Sequence, residues 1–206
     1  MEKRRRRFTM WIALAVVSAL AIAGVVAWQM WPSEEAAVAV PSRVCDDALP
    51  GTDVKALLPE KGKQFSQWHT GVFNPEEPYT KGEPGTCKVY GGGESVTIKH
   101  SLYAGESYTM KDVAHNASAT GATRIVLGEA QGYHKEDTVY LFTNCSPKQS
   151  GTESLLEVDV TYQKTTARTA IQRMANLAAD TLRLEARKLW ACDGADALPN
   201  SAPKLG

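Results

Sequence analysis

Hydrophobic and polar positions along the chain fall into three patterns, each predicting a different element. Met10 to Trp31 is an apolar run of 22 residues inside an uncharged stretch from Phe8 to Ser33. As a helix it would be about 33 Å long, enough to cross a hydrocarbon core of about 30 Å. Between Ser95 and Tyr103, Val96, Ile98, His100 and Leu102 alternate with Thr97, Lys99 and Ser101. That is the period of a strand with one buried face. Near the C-terminus, Ala167, Ile171, Met174, Ala178, Leu182 and Leu189 line one helical side, with Arg168, Arg173, Asp180, Arg183 and Arg187 on the remainder. This is an amphipathic helix, with Thr165 or Thr166 as its cap and Gly194 placed to end it in a left-handed conformation.

Weaker patterns fill the rest. Thr52–Leu58 reads as a short helix capped by Thr52 and stopped by Pro59. Residues 60–86 are rich in glycine and proline and read as a long loop with one strand near Gln64–Trp68. Cys87–Tyr90 and Ser95–Tyr103 are joined by Gly91-Gly92-Gly93, a hairpin signal. Glu106–Ala117 is a weak helix. Thr123–Leu127, Thr138–Thr143 and Leu155–Tyr162 are three more strands, with His134-Lys135-Glu136-Asp137 as the turn before the middle one. The order α-β-β-α-β-β-β-α predicts an α+β domain, an antiparallel sheet packed with helices and ending in a long one.

The flanks of the apolar run set its meaning. Lys3 and Arg4 to Arg7 precede it, and such a basic cluster keeps the N-terminus cytoplasmic. Trp11, Trp28 and Trp31 mark the two edges like the aromatic belt of a resident helix. A lipoprotein signal fails because Val25 stands where the acylated cysteine belongs. A cleaved signal peptide has an A-x-A site at Ala37-Val38-Ala39, but the run exceeds the usual length of about 7–15 residues. The expected organisation is a cytoplasmic tail at 1–9, a bilayer anchor at 10–31, a stalk at 32–44, an extracytoplasmic domain at 45–194 and a disordered tail at 195–206.

This address changes the charge and the cysteines. The whole chain has 23 basic and 23 acidic residues. Without the five N-terminal bases and Glu2, 18 bases face 22 acids, a net charge of −4, which argues against nucleic acid as a partner. Cys45, Cys87, Cys145 and Cys192 are all on the exported side, and an even number there predicts two disulfides. Two local echoes bear on the pairing. Cys45-Asp46-Asp47-Ala48-Leu49-Pro50 is echoed by Cys192-Asp193-Gly194-Ala195, with Ala197-Leu198-Pro199 close behind. Gly92-Gly93-Glu94-Ser95 with Tyr103 after Cys87 is echoed by Gly151-Thr152-Glu153-Ser154 with Tyr162 after Cys145. Each bridge should then join one cysteine of each kind. Cys45–Cys87 with Cys145–Cys192 is preferred over the crossed pairing because it closes the shorter loops.

No pattern of catalytic residues stands out. The sequence has no G-x-S-x-G elbow, no C-x-x-C and no H-E-x-x-H among His69, His100, His115 and His134, so no cofactor or metal is expected. Glu76-Glu77 and Glu136-Asp137 are neighbours in loops rather than carboxylates across a cleft. Asn116 and Asn144 each begin a glycosylation sequon. The binding candidates are the aromatics of the Gly/Pro-rich loop, Phe65, Trp68, Phe73 and Tyr79, beside His69, Glu76 and Glu77. Folding back as a lid over the core is their other reading.

The Arg-rich start, the single span, the Cys45-Asp46-Asp47-Ala48-Leu49-Pro50 opening with Leu57-Leu58-Pro59, and the late Ala/Arg-rich helix ending at Cys192 resemble a known group. It comprises uncharacterised actinobacterial single-pass membrane-anchored extracytoplasmic proteins and related lipoprotein domains. The resemblance implies an exported domain and carries no active residues with it. The expectation is an anchored, disulfide-stapled binding domain for an envelope protein or ligand. A cell-envelope hydrolase with a dispersed site and a small-ligand carrier or sensor are the alternatives.

Overall fold

A computed structural model describes residues 36–71, 73, 84–104, 108–146, 154–164 and 167–206. Its strands are β1 Arg43–Val44, β2 Leu49–Pro50, β3 Ser66–Thr70, β4 Gly85–Gly91, β5 Glu94–Ala104, β6 Thr123–Leu127, β7 Ala130–Lys135, β8 Thr138–Cys145, β9 Ser154–Tyr162 and β10 Lys204–Leu205. The α-helices are α1 Thr52–Leu57, α2 Met110–Ala117 and α3 Arg168–Leu184. Eight strands form one antiparallel sheet in the order β10-β6-β7-β8-β9-β5-β4-β3. The chain is α+β, as the order of elements predicts.

The two faces of the sheet differ. Val96, Ile98, Val139, Leu141, Leu156, Val158 and Val160 point to one face and are fully buried. There α3 lies on β8, β9 and β5, and α1 packs against α3. Ile171, Met174, Ala175, Ala178 and Leu182 complete that core. On the other face α2 covers only the β6-β7-β8 side. Its Val113 joins Tyr133, Phe142 and Leu155 in a second, smaller cluster. The hairpin between β4 and β5 turns on Gly92 and Gly93, at φ +62° and +91°, a left-handed pair that glycine adopts without a steric penalty.

Both disulfides are present, Cys45–Cys87 and Cys145–Cys192. Each joins a strand cysteine to a turn cysteine. The two turns share a closing hydrogen bond, from Ala48 N–H to the Cys45 carbonyl and from Ala195 N–H to that of Cys192, at 3.1 and 3.2 Å, but not a backbone: Asp46 and Asp47 are both left-handed in the first, and Gly194 alone of its two central residues in the second. Leu49 and Leu198 then enter the core. The second echo is not structural. Tyr103 and Tyr162 differ by an odd number of positions relative to the sheet pattern, so Tyr103 lies half-exposed on the open face and Tyr162 is buried on the other.

Several boundaries differ from expectation. Thr52 is the first residue of α1 and Gly51 its cap, without a side-chain hydrogen bond. The expected strand near Gln64–Trp68 is Ser66–Thr70. His134 and Lys135 belong to β7, leaving Glu136-Asp137 as the turn. Ala167 caps α3, and Thr165 and Thr166 lie outside the described residues. A π-helical turn, Glu185–Leu189, follows α3, and Trp190 is its cap. Gly194 is left-handed, at φ +78°, but it opens the next short helix, Ala195–Ala197.

The domain begins at 36 rather than 45. Val38 is buried, its N–H donates to the Glu60 carbonyl at 2.8 Å, and Ala37 bridges Lys61. The C-terminal segment, expected as a disordered tail, is part of the sheet. β10 pairs with β6, and buried Leu198 and Pro203 hold the segment down. Arg183 donates to the carbonyls of Pro199 and Ser201 at 2.8 and 2.6 Å while pairing with Asp180 at 2.8 Å. Arg187 donates to the carbonyl of Leu198 at 2.7 Å. Hydrogen bonds from charged groups are worth about 1.5–3 kcal/mol. Arg183→Ala is therefore expected to lower stability by about 2 kcal/mol and to speed amide exchange at Lys204 and Leu205. Unchanged exchange at those two amides would contradict the anchoring role.

Candidate binding face

Because antiparallel register aligns side chains in rows, the face opposite α3 can be read across the sheet. One row runs Trp68, Lys88, Thr97, Thr161, Thr138. The next runs Thr86, Lys99, Asp159, Tyr140, Tyr133. A third runs Ser101, Glu157, Phe142. α2 closes over the Phe142 and Tyr133 end, so among the described residues the uncovered part belongs to β3, β4, β5 and β9. It carries aromatics at its margins and charge along its middle.

Alternation explains how these groups came to share a face. Val96, Ile98 and His100 of β5 and Leu156, Val158 and Val160 of β9 are buried on the α3 side, which turns Thr97, Lys99, Ser101, Glu157 and Asp159 the other way. Trp68 is 54% exposed, Tyr90 38% and Tyr103 40%. Lys88 Nζ sits 5.1 Å from the centre of the Tyr90 ring, a cation–π distance.

Neighbouring side chains partly desolvate the two carboxylates. Burial among neighbouring side chains pushes Glu157 above the ordinary carboxylate range, opposed by a hydrogen bond from Tyr103. Burial also raises Asp159, opposed by the charge of Lys99 across the strand pair. The same hydrogen bond to Glu157, then burial and the two acidic charges, pushes the Tyr103 hydroxyl up to about 12. A protonated phenol, two partly desolvated carboxylates and one exposed ammonium thus lie side by side. The arrangement places hydrogen-bonding groups and charge at fixed positions along the strands.

Of the described sequence-predicted binding residues, Trp68 alone stands exposed on this face. Phe65 is partly buried against the core. Phe73 is buried edge-on against His100, with ring centres 5.1 Å apart, so it acts as the core lid that was its other reading. Tyr79, Glu76 and Glu77 lie outside the described residues. His69 is on the opposite side of β3, 3.2 Å from Asp46. From α2 the Asn116 side chain donates to the hydroxyl of Tyr108, just before the helix, at 2.8 Å, so its amide is engaged.

A second feature went unread in the sequence. His100 Nδ1 and Glu185 Oε2 are 3.4 Å apart with both side chains fully buried. Burial drives the Glu185 carboxyl well above its ordinary range. Gly85 makes room for the imidazole, since a Cβ there would fall 2.0 Å from Nε2. The pair is sealed inside the core rather than presented to a substrate. No group of residues able to hold a metal ion occurs among the described residues.

Comparison with protein-family models, with curated proteins and with solved structures gives no match to the chain. The two disulfides therefore carry the placement: they are consistent with a domain folded in an oxidising, extracytoplasmic compartment. Among the described residues no helix is long and apolar enough to cross a membrane, and the expected anchor at 10–31 lies outside those residues.

Proposed function

We propose that the chain is a membrane-tethered, extracytoplasmic binding domain that engages an envelope protein or ligand through the open half of its sheet. One observation carries this reading. Among the described residues, the sheet is largely buried on the α3 side from β6 to β4 and covered on the other side only where α2 packs, and the uncovered part concentrates Lys99, Asp159, Glu157 and Tyr103. Carboxylates partly desolvated on an open face are matched to a partner that completes their hydrogen bonding.

The tether rests on the apolar run and its basic flank, and on the resemblance to anchored actinobacterial proteins. The fold supports it at one further point. Cleavage at Ala37-Val38-Ala39 would cut inside the domain, at a buried valine hydrogen-bonded to Glu60.

Affinity capture from intact cells with the full-length protein tests the binding face. Lys99→Glu places a like charge opposite Asp159 on an exposed position and should weaken recovery of the partner tenfold or more, about 1.4 kcal/mol. Equal recovery by the wild-type and variant proteins, with both folded, would sink this reading.

A further inference from the structure

The two edges of the eight-stranded sheet are finished differently. On one side β10 adds a short closing strand to β6, and Gly206 N–H donates to the Arg124 carbonyl at 2.8 Å. On the other side the sheet ends at β3, and among the described residues no strand lies beyond it. All five residues of β3 are exposed. Natural edge strands discourage pairing with lysine, proline, bulges or shortness. β3 has none of these: its sequence is Ser-Gln-Trp-His-Thr, and its register with β4 is unbroken from Ser66↔Tyr90 to Thr70↔Thr86.

We infer that β3 is a dimerisation edge, pairing antiparallel with β3 of a second copy of this chain about a twofold axis through Trp68. Charge selects this occupant. The strand carries no lysine, arginine, aspartate or glutamate, and its one histidine faces Asp46 at 3.2 Å, so its own copy opposes no like charges along the strand. The twofold places Ser66 opposite Thr70 of the second copy, Gln67 opposite His69, and Trp68 opposite Trp68. Each is a pair that antiparallel sheets accept, and the central one is aromatic on aromatic. Trp68 is more than half exposed in the single chain and is covered in the pair.

A twofold of this kind is perpendicular to the sheet, so the same face of both copies points the same way. The open faces of the two domains then join into one continuous surface, which goes beyond the binding reading for a single chain without depending on it. A partner's extended peptide added to the same edge is the competing occupant.

Sedimentation of the full-length protein in detergent, over a range of concentrations, tests the inference. The wild type should form a reversible dimer, and Trp68→Lys should be monomeric while keeping its two disulfides and its circular dichroism. A second test fixes the register. Ser66→Cys mixed with Thr70→Cys should crosslink across chains under mild oxidation at least several-fold more than either variant alone. A wild type that stays monomeric at every concentration, including one that instead binds extended peptides, overturns the inference. So does a dimer that Trp68→Lys leaves intact or that lacks the Ser66–Thr70 preference.

Discussion

Replacing Cys145 and Cys192 together by alanine is expected to cost the fold about 4 kcal/mol, by the chain-entropy estimate for a loop of this size. The bridge spans 47 residues of sequence and ties the end of β8 to the turn that follows α3. That turn starts the C-terminal segment, so its release also loosens the route to β10. A domain of this size has a total stability of about 5–15 kcal/mol, and the loss is therefore a large share of the whole. Urea unfolding of oxidised wild type and double variant checks it. The variant should unfold at a much lower urea concentration, with β10 amides exchanging first. An unchanged midpoint would show that α3 is held by packing alone. The Cys45–Cys87 bridge spans 42 residues and fastens the β1–β2 turn and α1 to the sheet, with a similar expected loss.

The second large effect lies in the buried pair. His100→Ala should destabilise the domain by about 3–5 kcal/mol, because it opens a cavity between Gly85 and Phe73 and strips Glu185 of its neighbour. Glu185→Leu removes the desolvation cost of the carboxyl but takes that neighbour from buried His100, so it should cost less than His100→Ala and least at neutral pH. The pH dependence follows from the direction of the shift. Glu185 has a folded-state value raised above its ordinary 4.5, so the native state keeps the proton more tightly than the unfolded state. Its contribution is fully present below about pH 4.5 and is lost as pH rises toward the folded value. Measured by urea midpoints across that window, the gap between wild type and Glu185→Leu should shift in favour of the variant as pH rises. A constant gap would mean that the carboxyl is ionised throughout.

The sequence carried the architecture where periodicity was strong. Alternation in β5 and the apolar stripe of α3 left little choice of layer, and the Cys-Asp echo with the shorter loops favoured the disulfide partners that are found. It was silent where packing overrides local preference. β7 reads Ala-Gln-Gly-Tyr-His-Lys, without a β-branched residue; Gly132 is there because a Cβ would fall 1.9 Å from the Tyr140 carbonyl oxygen. β10 is two residues long and has no pattern of its own. Glu185 was the most legible of the misses. The apolar stripe passes from Leu182 to Leu189, and Glu185 occupies the inward position between them. Paired with a histidine at an inward position of β5, that gap pointed to a buried contact. The open face was hidden for another reason: which half of a sheet is uncovered depends on where α2 packs, and no local pattern encodes that.

Whether the open half of the sheet is the contact surface is tested most directly by site-specific photo-crosslinking in intact cells. A photoreactive residue at Thr97 or Ser101, on the uncovered rows, should trap a discrete partner. The same residue at exposed Lys188, in the turn after α3 on the opposite side, should not. Adducts from Lys188 with none from Thr97 or Ser101 would contradict the assignment.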